Sequence, residues 1–457
     1  MHTLDLLWPL TGLPPQALAH ARLSGHDPVL PSSFAVGAAA QAGIAAAALA
    51  ACELGHLRGQ LRQDVAVDAT HAALECTSWF SVNGVVPDMW DAYSGLYPCR
   101  DGHVRIHANF AHHRDGALAL LGLDAATATK ADVVRALQAW DAEAFETAAA
   151  ERGLVVAALR TRAQWEATAQ AQAVAAQPLF TVTRVGDGPP LPLPKLTAGQ
   201  RPLTGVRVLD LTRILAGPVG TRMLAGYGAD VLMVNGPHLP NIAAIADLSQ
   251  GKRSCLLDLN GEAGRTVLRA LVQDAHVFVQ GYRPGGLAAR GFAPHELARL
   301  RPGLVTVSLS AWGTDGPWAA RRGFDSLVQT AAGFNHAEGV AFGDGQPRAL
   351  PMQALDHVSG HLIALGAAAA LHRQQREGGA WHVQVALAQT GHWLWQLPRV
   401  VHGFAAQPPA REPWLEAVDS GFGRLVTLRH SAQLARTPAT WERLAMPPGT
   451  HLPSWAM

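Results

Sequence analysis

Beyond residue 200, short apolar runs alternate with amphipathic stretches at a steady beat. Val206–Leu211 (VRVLDL), Asp230–Val234 (DVLMV), Ala275–Gln280 (AHVFVQ) and Leu304–Ser310 (LVTVSLS) are brief, apolar and bounded by turn residues, so each reads as a buried strand. Between them, Pro218–Tyr227, Glu262–Asp274 and Pro294–Leu300 read as helices, and Gly228 stops the first. Strands separated by single helices predict an α/β fold: a Rossmann-like parallel sheet with helices on both faces. The first turn reads TRILAGP, not GxGxxG, so a nucleotide held there must use other contacts.

Gly186–Pro202 (GDGPPLPLPKLTAGQRP) can hold neither a helix nor a central strand, and it predicts a linker between residues 1–195 and 196–457. The two regions echo each other. Ala45–Leu74 runs alanine-rich helix, LRGQLRQ turn, DVAV strand, helix. Ser359–Trp395 repeats that order through a REGG turn and the strand HVQVAL. Two related half-copies are expected.

Composition narrows the field. Hydrophobic residues make up 49% and charged residues 16%, with a net charge of +1, and no dense Lys/Arg stripe marks a nucleic-acid face. Cys52, Cys76, Cys99 and Cys255 are scattered without a CxxC pair, as expected of reduced thiols in a cytoplasmic protein, and no signal peptide is expected. The apolar run Ala35–Cys52 is alanine-rich and contains Gln41, so a buried helix is expected there and no membrane span. His103, His107, His112 and His113 complete no recognised ligand spacing with Cys99 and Asp101; they are expected to line a polar surface or pocket, with no metal.

Six phrases in order carry a family resemblance: Pro202–Pro218 (PLTGVRVLDLTRILAGP), Tyr227–Val234 (YGADVLMV), Gly251–Leu259 (GKRSCLLDL), Gln280–Phe292 (QGYRPGGLAARGF), Arg321–Gln329 (RRGFDSLVQ) and Leu355–Leu371 (LDHVSGHLIALGAAAAL). Together they resemble class III CoA-transferases, the family of formyl-CoA transferase and the carnitine CoA-transferases, with alpha-methylacyl-CoA racemase as a relative. Ser94–Ile106 and Phe145–Ala173 resemble the smaller α+β domain that lies C-terminal in that family, so the order of halves is rearranged here.

An Asp at the start of a helix is commonly an N-cap. The surrounding phrase implies instead that Asp356 is the nucleophile, a carboxylate that takes an acyl group off a thiol and then becomes an aspartyl-CoA thioester. The resemblance places Leu215 and Ala216 along the CoA channel and Arg322 near the CoA. Lys252 and Arg253, just before a strand, and Arg283 in the YRPG turn suit phosphate contacts. Pro28–Cys52, the equivalent of the Asp356 stretch, holds no Asp or Glu, so one active centre per chain is expected. In the racemase branch a histidine follows the Gly of the GxD phrase. Phe324 stands there and carries no proton, and neither His336 nor His357 is at the matching place. The resemblance implies an enzyme moving CoA between an acyl-CoA and a carboxylic acid, and a homodimer. The alternatives are an acyl-CoA isomerase or racemase, or a CoA-binding protein without turnover whose first region no longer completes the site.

Overall fold

The computed structural model describes residues 2–455. The first region opens with β1 (Ala21–Ser24), α1 (Val36–Leu57), β2 (Val65–Asp68) and α2 (Ala69–Glu75). A small unit follows, built on β3 (Gly95–Pro98), β4 (His103–Ile106), α3 (Ala111–Leu120) and β5 (Val156–Ala158), and the region ends on β6 (Phe180–Gly186). The second region begins with β7 (Arg207–Leu211), α4 (Ala216–Gly226), β8 (Asp230–Asn235), β9 (Lys252–Leu256), α5 (Glu262–Gln273) and β10 (Val277–Gln280). It continues through α6 (Pro294–Leu300), β11 (Val305–Ser310), α7 (Asp325–Ala331), α8 (Ala354–Glu377), β12 (Ala380–Ala386) and α9 (Leu387–Gln396).

The expected sheet is present, in the order β9-β8-β7-β10-β11-β12-β6. Its first six strands are parallel, and β6 runs antiparallel against β12. Successive side chains on a strand point to opposite faces. Val208, Val231, Val277 and Val305 accordingly join one core with α4 and α8, while Leu209, Leu232 and Phe278 join another with Leu268, Leu271 and Leu297 of α5 and α6. The sheet's order reverses between β7 and β10, and that crevice, at the carboxyl ends of the strands, is where such sheets bind ligands.

The boundary near residue 195 is crossed in space. β6 precedes it in the chain yet completes the large sheet, and Gly423–Leu428 and Gln433–Leu434 return to pair with Phe80–Val82 and β2. The small unit keeps its own core around Tyr97, Val104, Ile106 and Phe145. All four cysteines are unpaired and buried. The helices long and apolar enough to cross a membrane, α1 and α8, are packed inside the protein.

The two halves match in detail. β1, α1, β2 and α2 repeat β11, α8, β12 and α9, with parallel strand pairs in both. α1 and α8 pack against each other closely enough that a Cβ on Gly43 would sit 2.7 Å from the His361 ring. The start of each helix is held alike. Asp27 accepts the amides of Gly37 (3.2 Å) and Ala38 (2.8 Å), as Asp325 accepts the amide of Asp356 (2.9 Å). Each clasp ends a short triplet, Gly25-His26-Asp27 or Gly323-Phe324-Asp325, and Ala38, third from its N-cap, stands where Asp356 stands. The first copy has the same clasp, with an alanine in the place of Asp356.

Lys252 and Arg253 lie within β9 and not before it. Lys252 is fully buried, and its ammonium donates to Asp210 Oδ2 (3.0 Å), Thr221 Oγ1 (2.7 Å) and the Pro218 carbonyl (2.9 Å), which uses all three of its protons. Asp210 in turn accepts the Thr212 amide at 3.0 Å, so this pair ties β9, β7 and the first turns of α4 together. Removing one partner of such a buried pair strands the other charge and costs about 3–5 kcal/mol. Lys252→Ala should therefore lower the denaturant midpoint by a loss of that size, whereas Lys252→Ala/Asp210→Ala should recover part of it. Unchanged unfolding in the single variant would contradict the role given to the pair.

Candidate active site

The carboxyl ends of β7, β10 and β11 open into one cavity of about 380 Å³. Each strand hands over to a loop that forms part of its wall. After β7 come Arg213, Ile214 and Leu215, and Ala216 begins α4. After β10 comes Arg283, and after β11 come Arg321, Arg322 and Phe324. Asp356 enters from the first turn of α8. The small unit closes the wall with Phe110, His112 and His113 from the start of α3. The first region thus completes the cavity from within the same chain.

Ile214 sits at φ +76°, a left-handed conformation that a β-branched residue rarely adopts. Strain of this kind gathers where a loop is held for function. Here it turns the chain between the end of β7 and α4, and it leaves Arg213 and Leu215 on the cavity wall.

Asp356 is partly open to the cavity and, among the described residues, is the only carboxylate residue on its wall. Asp325, fully buried beneath it, accepts the Asp356 amide and the Gln329 side chain (2.5 Å). Burial, opposed by these hydrogen bonds, raises the Asp325 carboxyl to about 6. Burial and then the neighbouring Asp325 charge push Asp356 well above the ordinary carboxylate range. The two titrate as a pair that resists carrying two charges.

The wall is otherwise basic. Among the described residues, Arg213, Arg283, Arg321 and Arg322 have no carboxylate within 4.0 Å, in contrast to Arg222, Arg253 and Arg348 elsewhere. Burial lowers the guanidinium pKa of Arg213, Arg321 and Arg322. Four uncompensated guanidiniums around one cavity make a receptor for an anion.

Arg322 donates to His113 Nε2 at 2.6 Å, so that nitrogen accepts and Nδ1 carries the proton of the neutral ring. Burial, then His112 and Arg322, lower the His113 pKa to about 3, which keeps it neutral. Phe324 stacks on His107 at 4.0 Å between centroids, with the histidine behind it. His357 is buried and bonded to Ser78 Oγ at 2.7 Å, outside the cavity wall. His107 and His357 thus lie off the cavity wall, and the two histidines on it, His112 and His113, both contact Arg322.

Five of the seven residues expected from the sequence meet at this cavity: Asp356, Leu215, Ala216, Arg283 and Arg322. Lys252 and Arg253 do not. Lys252 is consumed by Asp210, and Arg253 is paired with Asp230 (2.9 Å) at the sheet edge and donates to the Ser454 carbonyl. Arg213, Arg321 and Phe110 were not foreseen. Arg213 lies two residues before Leu215 in a phrase already singled out, which was its available signal.

An open α/β crevice with a lone carboxylate in a basic cavity suits an anionic ligand. Comparison adds a likeness: residues 203–418, just under half of the chain, match the model of CoA-transferase family III. A probable fatty acyl-CoA transferase of Mycobacterium tuberculosis is 33% identical over 229 residues, 47% of this chain and 58% of that protein. An acyl-CoA transferase of Gibberella moniliformis is 29% identical over 379 residues, 73% of this chain and 66% of that protein. The crystal structure of the mycobacterial protein is 32% identical with a TM-score of 0.40, covering 43% of this chain and 58% of that one. The chain spans under two thirds of the length of these relatives.

The carboxylate pair gives a pH signature. A carboxylate attacks only when ionised, and the pKa of Asp356 is raised, so any acylation of Asp356 should increase with pH through a step above the ordinary carboxylate range. Asp325→Asn keeps an acceptor for the Asp356 amide and removes the like charge. The step should then move to lower pH, read from single-turnover acylation rates across pH. A step that stays in place would show that Asp325 does not tune Asp356.

Proposed function

We propose that the protein transfers CoA between carboxylic acids through an aspartyl-CoA thioester on Asp356. The observation that carries this reading is the placement of Asp356 as the single acid on a wall of four unpaired arginines, inside the family III segment. In the first step an Asp356 oxygen attacks the thioester carbonyl and the CoA thiolate leaves, forming a mixed anhydride. The thiolate then attacks the aspartyl carbonyl and expels the donor acid as its carboxylate, leaving aspartyl-CoA. The acceptor carboxylate attacks this thioester, and the same two steps in reverse order give the new acyl-CoA and free Asp356. The α8 N-terminus lies beside the charge that develops on the aspartyl carbonyl. A cavity completed within one chain favours turnover over a CoA-binding protein without it. Assembly as a homodimer in the cytoplasm belongs to the same proposal.

Asp356→Ala should abolish transfer and leave CoA binding within a few-fold. Intact-protein mass spectrometry of the wild type with an acyl-CoA should show one CoA adduct, and hydroxylamine should modify Asp356. A 2-methylacyl-CoA incubated in deuterated water should recover without α-deuterium, because transfer keeps the chemistry at the carbonyl carbon. Undiminished turnover in the alanine variant, or rapid α-deuteration without CoA exchange, would overturn the proposal.

A further inference from the structure

The four arginines of the cavity divide into two sets. Arg283, Arg321 and Arg322 also border a second hollow of about 250 Å³, floored by Trp312 and Trp318. Arg321 lies 4.5 Å from the Trp318 ring centroid, so cations and flat indoles meet there. That combination suits phosphates joined to a purine. Arg213 takes no part in the second hollow.

Arg213 is held separately. It follows β7 on the turn strained at Ile214, donates to the Pro240 carbonyl, and lies 5.8 Å from the Phe110 ring centroid. Its Nε is buried without a partner, and no carboxylate stands within 4.0 Å of it among the described residues. A guanidinium with no carboxylate partner, on the wall that also carries Asp356, keeps its remaining Nη protons for an anion.

Building on the transfer reaction above, we propose that Arg213 is a specificity-determining residue of the acyl pocket. It receives the far carboxylate of a dicarboxylic acid or of the corresponding acyl-CoA, while Arg283, Arg321 and Arg322 take the phosphates of CoA. The substrate class is therefore the short dicarboxylic acids, and a monocarboxylate of equal length leaves this guanidinium unmatched.

The test compares acceptors of three to six carbons in matched pairs, such as glutarate against pentanoate, with new acyl-CoA measured by mass spectrometry. For the wild type, kcat/KM should favour the dicarboxylate by about tenfold or more at the best length, the loss expected for one charge-assisted hydrogen bond. Arg213→Gln should bring that ratio near one, and Arg213→Lys should restore part of it. The Kd of free CoA should move less than threefold in Arg213→Gln and more than tenfold in Arg322→Gln, with circular dichroism confirming that each variant is folded. A monocarboxylate preference at every length would overturn the proposal. So would CoA binding weakened equally by Arg213→Gln and Arg322→Gln, which would make Arg213 a fourth phosphate contact. If no acid receives CoA from any thioester, the transfer reading fails by itself. Calorimetric binding of glutaryl-CoA against pentanoyl-CoA then decides Arg213, the former being tighter only when the arginine is present.

Discussion

The hydrogen bond from the Asp356 amide to the buried carboxylate of Asp325 fixes where α8 begins, and much else follows from that starting point. α8 is the longest helix among the described residues, and it packs against α4, α1 and β12. A shift of one residue in its start would rotate it by about 100° and take Asp356 off the cavity wall. A neutral acceptor would hold the turn as well. The carboxylate adds a like charge beneath Asp356, which raises its pKa and makes it a stronger base. One buried group thereby serves both geometry and reactivity.

The large sheet was legible because its strands are apolar on both faces and its helices fall between them. The Asp356, Leu215, Ala216, Arg283 and Arg322 cluster was legible because the family phrases mark loops at the carboxyl ends of those strands. Lys252 and Arg253 were misread because a cation in a familiar phrase gives no direction for its side chain. Asp210 held the missing clue: an acid inside VRVLDL must find a buried partner, and Lys252 is that partner. Arg213 depended on a left-handed isoleucine that no residue pattern announces. His112 and His113 reach the cavity from a separate unit nearly a hundred residues ahead of β7, which is a fact of tertiary packing alone.

The paired halves pack into one body, and both regions contribute wall residues to the cavity. α1 copies α8 down to the clasp on its first turn, and the two helices lie against each other inside one chain. With Ala38 in place of a carboxylate, the first copy serves as packing for the second. The strand β6 and the tail after residue 414 then lace the two halves together, so neither is free to drift from the other.

The burial of the four cysteines has a practical corollary. Burial pushes the thiols of Cys52 and Cys255 to about 12, and those of Cys76 and Cys99 also upward. Thiolate is the reactive form of sulfur, so the native protein offers almost none to an electrophile. Any thiol that a colorimetric disulfide reagent detects in a mixture with acyl-CoA then comes from the coenzyme. Transfer moves CoA from one acid to another and frees no thiol, so a thiol signal in such a mixture reports hydrolysis of the thioester.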